Sequence, residues 1–284
     1  MPTHPVVDAH LHLRDATRPW YPGAAESATA TGTSGAIESF LLADYERAAG
    51  ELEIAGLVHV SAATAPHAYL AETRWIETLA AADARPVALL GGIDPALSAP
   101  ELVDHLEQQA RSVAFRGIRV PRGLAPNTAA AETVAAWLQD RDAVLDLAAR
   151  PEEMLDWIDF LAGYPALRVV LEHLGSPHGV DAEAKAVWHN ALSLAAKETP
   201  WLCKLSGLGA ICPHPNRSGL EYWLESGVQL WGWRRLMFAS ELPAPGGAHP
   251  ELLAIVDGLV AGDATDQEAG YFYAGNAADA YRLG

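Results

Sequence analysis

The feature that most constrains this chain is an alternation that runs from one end to the other. Short apolar runs rich in β-branched residues are each followed by a longer stretch with the spacing of an amphipathic helix. The runs occupy residues 6–12, 56–63, 87–94, 115–120, 143–148, 168–174, 201–208 and 235–240. Helical stretches lie near 41–49, over 69–82, where Leu70, Trp75, Ile76 and Leu79 recur at helical spacing, and over 128–140, 181–198, 251–260 and 267–283. Two more open at Pro100, with Glu101 and Asp104 in the first turn, and at Pro151-Glu152-Glu153, as a proline-led, acidic N-terminus should. Eight such units in series predict an α/β fold, a (β/α)8 TIM barrel with some distortion and an extra C-terminal helix. A doubly wound open sheet uses the same alternation, but no G-x-G-x-x-G follows the first run and no Walker motif occurs. The 284 residues suit a single barrel domain over 1–284. Residues 14–39 form the least regular segment, long for a strand-to-helix connection.

A barrel carries its active site at the C-terminal ends of the strands, so polar residues late in each run are the candidates. The first run ends Asp8-Ala9-His10-Leu11-His12. Two histidines two residues apart share a face of an extended strand and can chelate a divalent metal or hydrogen-bond a substrate. A plain pair of surface histidines is the competing reading. Arg119 closes the fourth run, where a guanidinium can grip a carboxylate or polarise a carbonyl; a surface ion pair is the alternative. His173 closes the sixth, and Lys204 lies inside the apolar seventh, where a buried charge needs a partner. Glu241 follows the eighth and can act as general base or metal ligand. The loop Trp20-Tyr21-Pro22-Gly23 can lay an aromatic face over a sugar ring or simply pack on the barrel.

Composition narrows the partners. Nineteen Lys+Arg against 36 Asp+Glu leave a net charge of −17, which argues against nucleic acid. No apolar run approaches the ~20 residues of a membrane helix, and the N-terminus lacks the basic and apolar regions of a signal peptide. Two cysteines, Cys203 and Cys212, make no disulfide framework and fit a reducing compartment, so a cytoplasmic location is expected. The expected partner is a small-molecule substrate, with self-association into a homo-oligomer left open.

The set VVDAHLH, FRGIRV, VVLEHLGSP, CKLSGL and MFASELP, in that order, resembles the amidohydrolase superfamily. Within it the chain is similar to the amidohydrolase-2 group of sugar-lactone and 2-pyrone-4,6-dicarboxylate lactonases. The similarity reaches from Val6 to Asn276-Ala277-Ala278 and includes Arg18-Pro19-Trp20-Tyr21 and Glu72-Thr73-Arg74-Trp75. It implies a hydrolase that opens a cyclic ester. Glu241, His173 and Arg119 would be catalytic and His10 and His12 would touch substrate; Lys204, Trp20 and Tyr21 are expected to touch substrate from their places in the chain. It further implies one optional divalent cation, zinc first, on His10, His12 and Glu241, with His173 as a further ligand, and no organic cofactor. Strand four lacks the lysine that bridges two metals elsewhere in the superfamily. The main departure is Ser240-Glu241-Leu242-Pro243, where the group carries Ser-Asp-x-Pro; the added methylene moves the carboxylate by roughly 1 Å, a scale to which catalysis is sensitive. The competing functions are a metal-dependent decarboxylase of an aromatic or unsaturated acid, and a barrel that binds a small molecule without turning it over.

Overall fold

The computed structural model describes residues 2–21, 38–62, 65–120, 123–212, 216–243 and 250–283. Pro22 and Gly23 of the aromatic loop, and Ala63 at the end of the second run, lie outside the described residues. Eight parallel strands follow one another in sequence order: β1 (Val6–Leu11), β2 (Ile54–Val60), β3 (Val87–Gly91), β4 (Phe115–Arg119), β5 (Val144–Leu147), β6 (Arg168–Leu171), β7 (Leu202–Leu205) and β8 (Leu236–Phe238). Between and after them run α1 (Leu42–Ala49), α2 (Tyr69–Ala82), α3 (Ala99–Gln109), α4 (Ala129–Asp140), α5 (Met154–Leu161), α6 (Ala182–Glu198), α7 (Arg217–Trp231), α8 (Pro250–Asp263), α9 (Asp266–Gly270) and α10 (Asn276–Tyr281). This is the expected (β/α)8 barrel, nearly closed.

Closure between β1 and β8 is thin. A parallel bridge joins Leu11 to Leu242, the Glu241 N–H donates to the His10 carbonyl at 2.7 Å, and the Ser240 N–H donates to the Asp8 carboxylate at 2.9 Å. A side chain thus stands in for part of the missing ladder. The Asp8 carboxylate, fully buried, also accepts from the Tyr45 hydroxyl of α1.

Inward and outward residues alternate along the strands, and the inner set changes character from one end of the barrel to the other. At the N-terminal end Val7, Val58, Ala88, Val144 and Met237 pack with Ala277 and Tyr281, so that α10 plugs the barrel floor. Further along, the inner positions are His10, Arg119, Asp146, Glu172 and Lys204. The outward positions, such as Leu145, Leu147, Val169, Leu171, Cys203 and Leu205, form the main core against the helices.

Several strands are shorter than their apolar runs. β6 stops at Leu171 because His173, Leu174 and Ser176 take positive φ, which ends the ladder and turns the chain over the barrel mouth. The helix read over 267–283 is divided in the structure: α9 and α10 flank a wider turn at Tyr271–Gly275. No helix was read between the seventh and eighth runs, yet α7 fills that place, capped by the Asn216 side chain accepting from the Gly219 N–H. Its interior Gly227 looks like a helix breaker, but a Cβ there would stand 3.1 Å from Leu174, so the glycine lets α7 pack closely under the β6 loop.

Candidate active site

β1 carries an extra residue relative to β2: Asp8 pairs with Leu57 and Leu11 with His59. This bulge at Ala9-His10 re-aims a side chain, as bulges beside active sites commonly do. It turns His10 into the barrel beside His12, and their Nε2 atoms lie 3.1 Å apart. The His12 Nδ1–H donates to the Val60 carbonyl at 2.8 Å, leaving its Nε2 as the acceptor that faces His10. Burial holds both histidines well below their ordinary pKa, with the Lys204 charge adding to the effect on His10 and Arg119 to that on His12. Both are neutral at pH 7.

The β6 loop brings His173 to the same place. Its ring centre is 4.7 Å from that of His10, and its Nδ1 is paired with the Ser206 hydroxyl at 2.9 Å. Gly207, at φ +75°, makes this possible, because a Cβ there would meet the His173 Cβ at 2.5 Å. The His173 Nε2 stands 3.9 Å from the Glu241 carboxylate, on a residue that itself holds a left-handed φ of +59°.

Glu172 joins these groups from beneath. Its Oε2 accepts from Arg119 Nε at 3.0 Å and Nη2 at 2.9 Å, and its Oε1 lies 3.5 Å from His10 Nδ1. Burial opposes ionisation here, but Arg119 beside it holds the carboxyl down at about 2. Lys204 is fully buried; its ammonium pairs with Asp146 and reaches His10 Nδ1 at 3.4 Å. Asp146 in turn accepts from the Tyr281 hydroxyl of the floor plug at 2.8 Å, and burial pushes its carboxyl up, to about 6, against the pull of Lys204.

The structure therefore gathers His10, His12, Arg119, His173, Lys204 and Glu241 around one end of the barrel. Lys204 stands below the histidines, engaged with Asp146. Trp20 lies apart from this group: it packs edge-on against Trp75 of α2 at 6.0 Å, with Arg18 over both rings. Tyr21 is next to it, its hydroxyl buried without a hydrogen-bond partner. Sequence reasoning passed over Glu172, Asp146 and Asp8. The available signal was the same for each: an acid inside a run of apolar residues, which must find a partner.

A divalent cation fits this donor set. Two neutral imidazole Nε2 atoms 3.1 Å apart match the spacing of two ligands that each bind zinc at about 2.0–2.1 Å. Glu172 Oε1 is buried and has no hydrogen-bond partner. Among the described residues, the three whose ligand atoms all lie within 4.8 Å of one another are His10, Glu172 and His173. Glu172, which the sequence did not single out, thus joins the histidines as a candidate carboxylate ligand, beside the expected Glu241, which lies 3.9 Å from His173.

Comparison with known proteins gives relatives of the same fold. The L-fucono-1,5-lactonase of Burkholderia multivorans is 29% identical, covering 98% of this chain and 96% of its own. The crystal structure of a Burkholderia multivorans amidohydrolase with bound zinc superposes with a TM-score of 0.82 at 24% identity, over 99% of this chain and 100% of that one. A 5-carboxyvanillate decarboxylase from Novosphingobium aromaticivorans, complexed with manganese, shares the fold at a TM-score of 0.68 and 13% identity, over 99% and 97% of the two chains. The amidohydrolase family model matches residues 7–283, which takes in β1 with its histidine pair, every other strand of the barrel and the plug. With that match added to the barrel and its ring of histidines, the chain belongs to the amidohydrolase family and is a hydrolase.

Proposed function

We propose that the chain opens the lactone of a sugar acid by attack of water, with Glu241 as the base. The observation that carries this reading is the placing of the Glu241 carboxylate 3.9 Å from His173 Nε2, whose ring lies 4.7 Å from that of His10. In this reading the ester carbonyl takes the histidine side and the attacking water the Glu241 side. Glu241 takes the proton of the water as its oxygen bonds to the carbonyl carbon. The negative charge that develops on the carbonyl oxygen is met by His173 and the Arg119 guanidinium, both fixed in place before reaction. His12, whose Nδ1–H is spent on the Val60 carbonyl, offers only an acceptor Nε2 to His10. The ring C–O bond then breaks, and the proton held by Glu241 passes to the leaving alkoxide. Arg119, fixed by Glu172, supplies positive charge beside the reacting centre. A divalent cation bound by His10, His12, His173 or Glu172 would add Lewis-acid polarisation of the carbonyl. The L-fucono-1,5-lactonase relative supports lactone chemistry at the level of class.

Ring opening releases an acid, so a pH-indicator assay of chelator-treated protein on aldonolactones, repeated with added Zn²⁺, reads the reaction directly. Glu241→Gln should lower kcat at least 100-fold. Near-normal turnover in that variant would remove Glu241 from the mechanism. Release of CO2 from an aromatic acid, lost on chelation, would replace this reading with a decarboxylase.

A further inference from the structure

The two ends of the histidine pair meet groups that can act in only one way, and this fixes every proton between them. Lys204 carries an ammonium, which has donors and no acceptor, so the His10 Nδ1 that it reaches at 3.4 Å is the acceptor. At the other end the Val60 carbonyl can only accept, so His12 Nδ1 carries a proton. Both rings are held neutral by burial and therefore bear one N–H each. His10 has its proton on Nε2, His12 has none there, and the 3.1 Å contact between those atoms is a hydrogen bond from His10 to His12. The row runs in one direction, from the ammonium of β7 through both imidazoles to the backbone of β2.

Glu172 Oε1 is orphaned for the same reason. It lies 3.5 Å from His10 Nδ1 and is buried with no hydrogen-bond partner, because the nitrogen that faces it is an acceptor too. The same atoms have a second arrangement, in which the His10 proton sits on Nδ1 and is donated to Glu172 Oε1. That arrangement satisfies the carboxylate, but it breaks the bond from His10 to His12 and sets an N–H against the ammonium. Lys204 has no room to turn aside. It is fully buried and paired with Asp146, and its Nζ lies 5.4 Å from the centre of the Tyr281 ring.

We infer that Lys204 is a positioning residue that sets the tautomer of His10, and that the tautomer it selects keeps a cation off the histidine pair. An imidazole binds a metal through a bare nitrogen, whereas His10 Nε2 presents a proton. For both Nε2 atoms to face a cation, that proton has to move from Nε2 to Nδ1 of the same ring, where Glu172 Oε1 accepts it. No proton is gained or lost, the ring stays neutral, and Lys204 keeps Asp146. A carboxylate behind a ligating histidine fixes its tautomer and raises its basicity. Glu172 thus favours the metal-ready form and Lys204 the sealed one, whatever reaction the site performs.

The test reads the tautomer directly, by long-range proton–nitrogen correlation NMR of chelator-treated protein with labelled histidine rings, the His10 signals being those lost in His10→Gln. In the wild type His10 should be protonated at Nε2 and His12 at Nδ1; protonation of His10 at Nδ1 overturns the proposal without recourse to a variant that has to fold. Lys204→Met/Asp146→Leu removes the ammonium together with its counter-ion, and His10 should then pass to the Nδ1–H form. Calorimetric titration with Zn²⁺ should find binding to the double variant about 10-fold tighter than to the wild type, the lower end of the worth of a hydrogen bond from a charged group, as suits a contact of 3.4 Å. A lysine that only supports the fold would leave the tautomer where it was. An unchanged tautomer in the double variant, or zinc bound no more tightly than by the wild type, overturns the role given to Lys204.

Discussion

A single buried contact shows how closely stability and function are joined here. Lys204 and Asp146 are both fully buried and paired to one another, one against His10 and the other against Tyr281. Removing one charge of such a pair leaves the other stranded in low dielectric, at a cost of about 3–5 kcal/mol. Lys204→Met should therefore lower stability by that much in denaturant unfolding, and the double variant Lys204→Met/Asp146→Leu should recover most of it. A double variant no more stable than the single one would show that Asp146 is not the reason for the loss. Parts of this site were legible from residue types alone. The two-residue spacing of His10 and His12 placed both on one side of a strand, and Glu241 stood at the end of the last run. The lysine in an apolar strand announced a need for a partner, but which acid would meet it depended on the alignment of strands five and seven around the barrel. The bulge that turns His10 inward left no mark in the sequence, because it arises from the mismatch of β1 with β2.

At the level of elements, the loops after β6 and β7 act as one unit. His173 hangs from a run of positive-φ residues and is backed by Gly207, with Gly227 of α7 beneath Leu174. Gly207→Ala would place a methyl group at 2.5 Å from the His173 Cβ and force an unfavourable φ on alanine. We expect kcat to fall on the order of 100-fold as His173 is displaced by about 1 Å, with folding retained by circular dichroism; unchanged kcat would show that His173 tolerates displacement. Helix periodicity located most of the outer layer well. It failed at α7 because a glycine required for close packing reads, in sequence, like a helix breaker. It also missed the division between α9 and α10, where a wider turn carries the chain toward the barrel floor.

Over the whole molecule, the surplus of acid is partly anchored by surface ion pairs. Asp83 is one: hydrogen bonds from Arg85 hold its carboxyl below the ordinary value. A carboxyl with a lowered folded-state pKa stabilises fully above its unfolded value of about 4, and that contribution fades as pH falls through the folded value. Asp83→Asn should thus lower the melting temperature at pH 7, by no more than about 1 kcal/mol in free energy for a pair that solvent still reaches, and the gap to wild type should narrow as pH approaches 3. A gap that stays constant with pH would mean that the side chain acts by shape and not by charge. The ring of strands has its weakest joint between the first and the last, where Asp8 and a few backbone bonds do the closing. The Glu241 amide is tied to the carbonyl of His10 across that joint, so the proposed base and the first histidine of the pair ride on opposite lips of one seam. Thermal opening of the barrel would then be felt first as a change in the reach between the two, and the enzyme should lose turnover at temperatures where its helices are still intact.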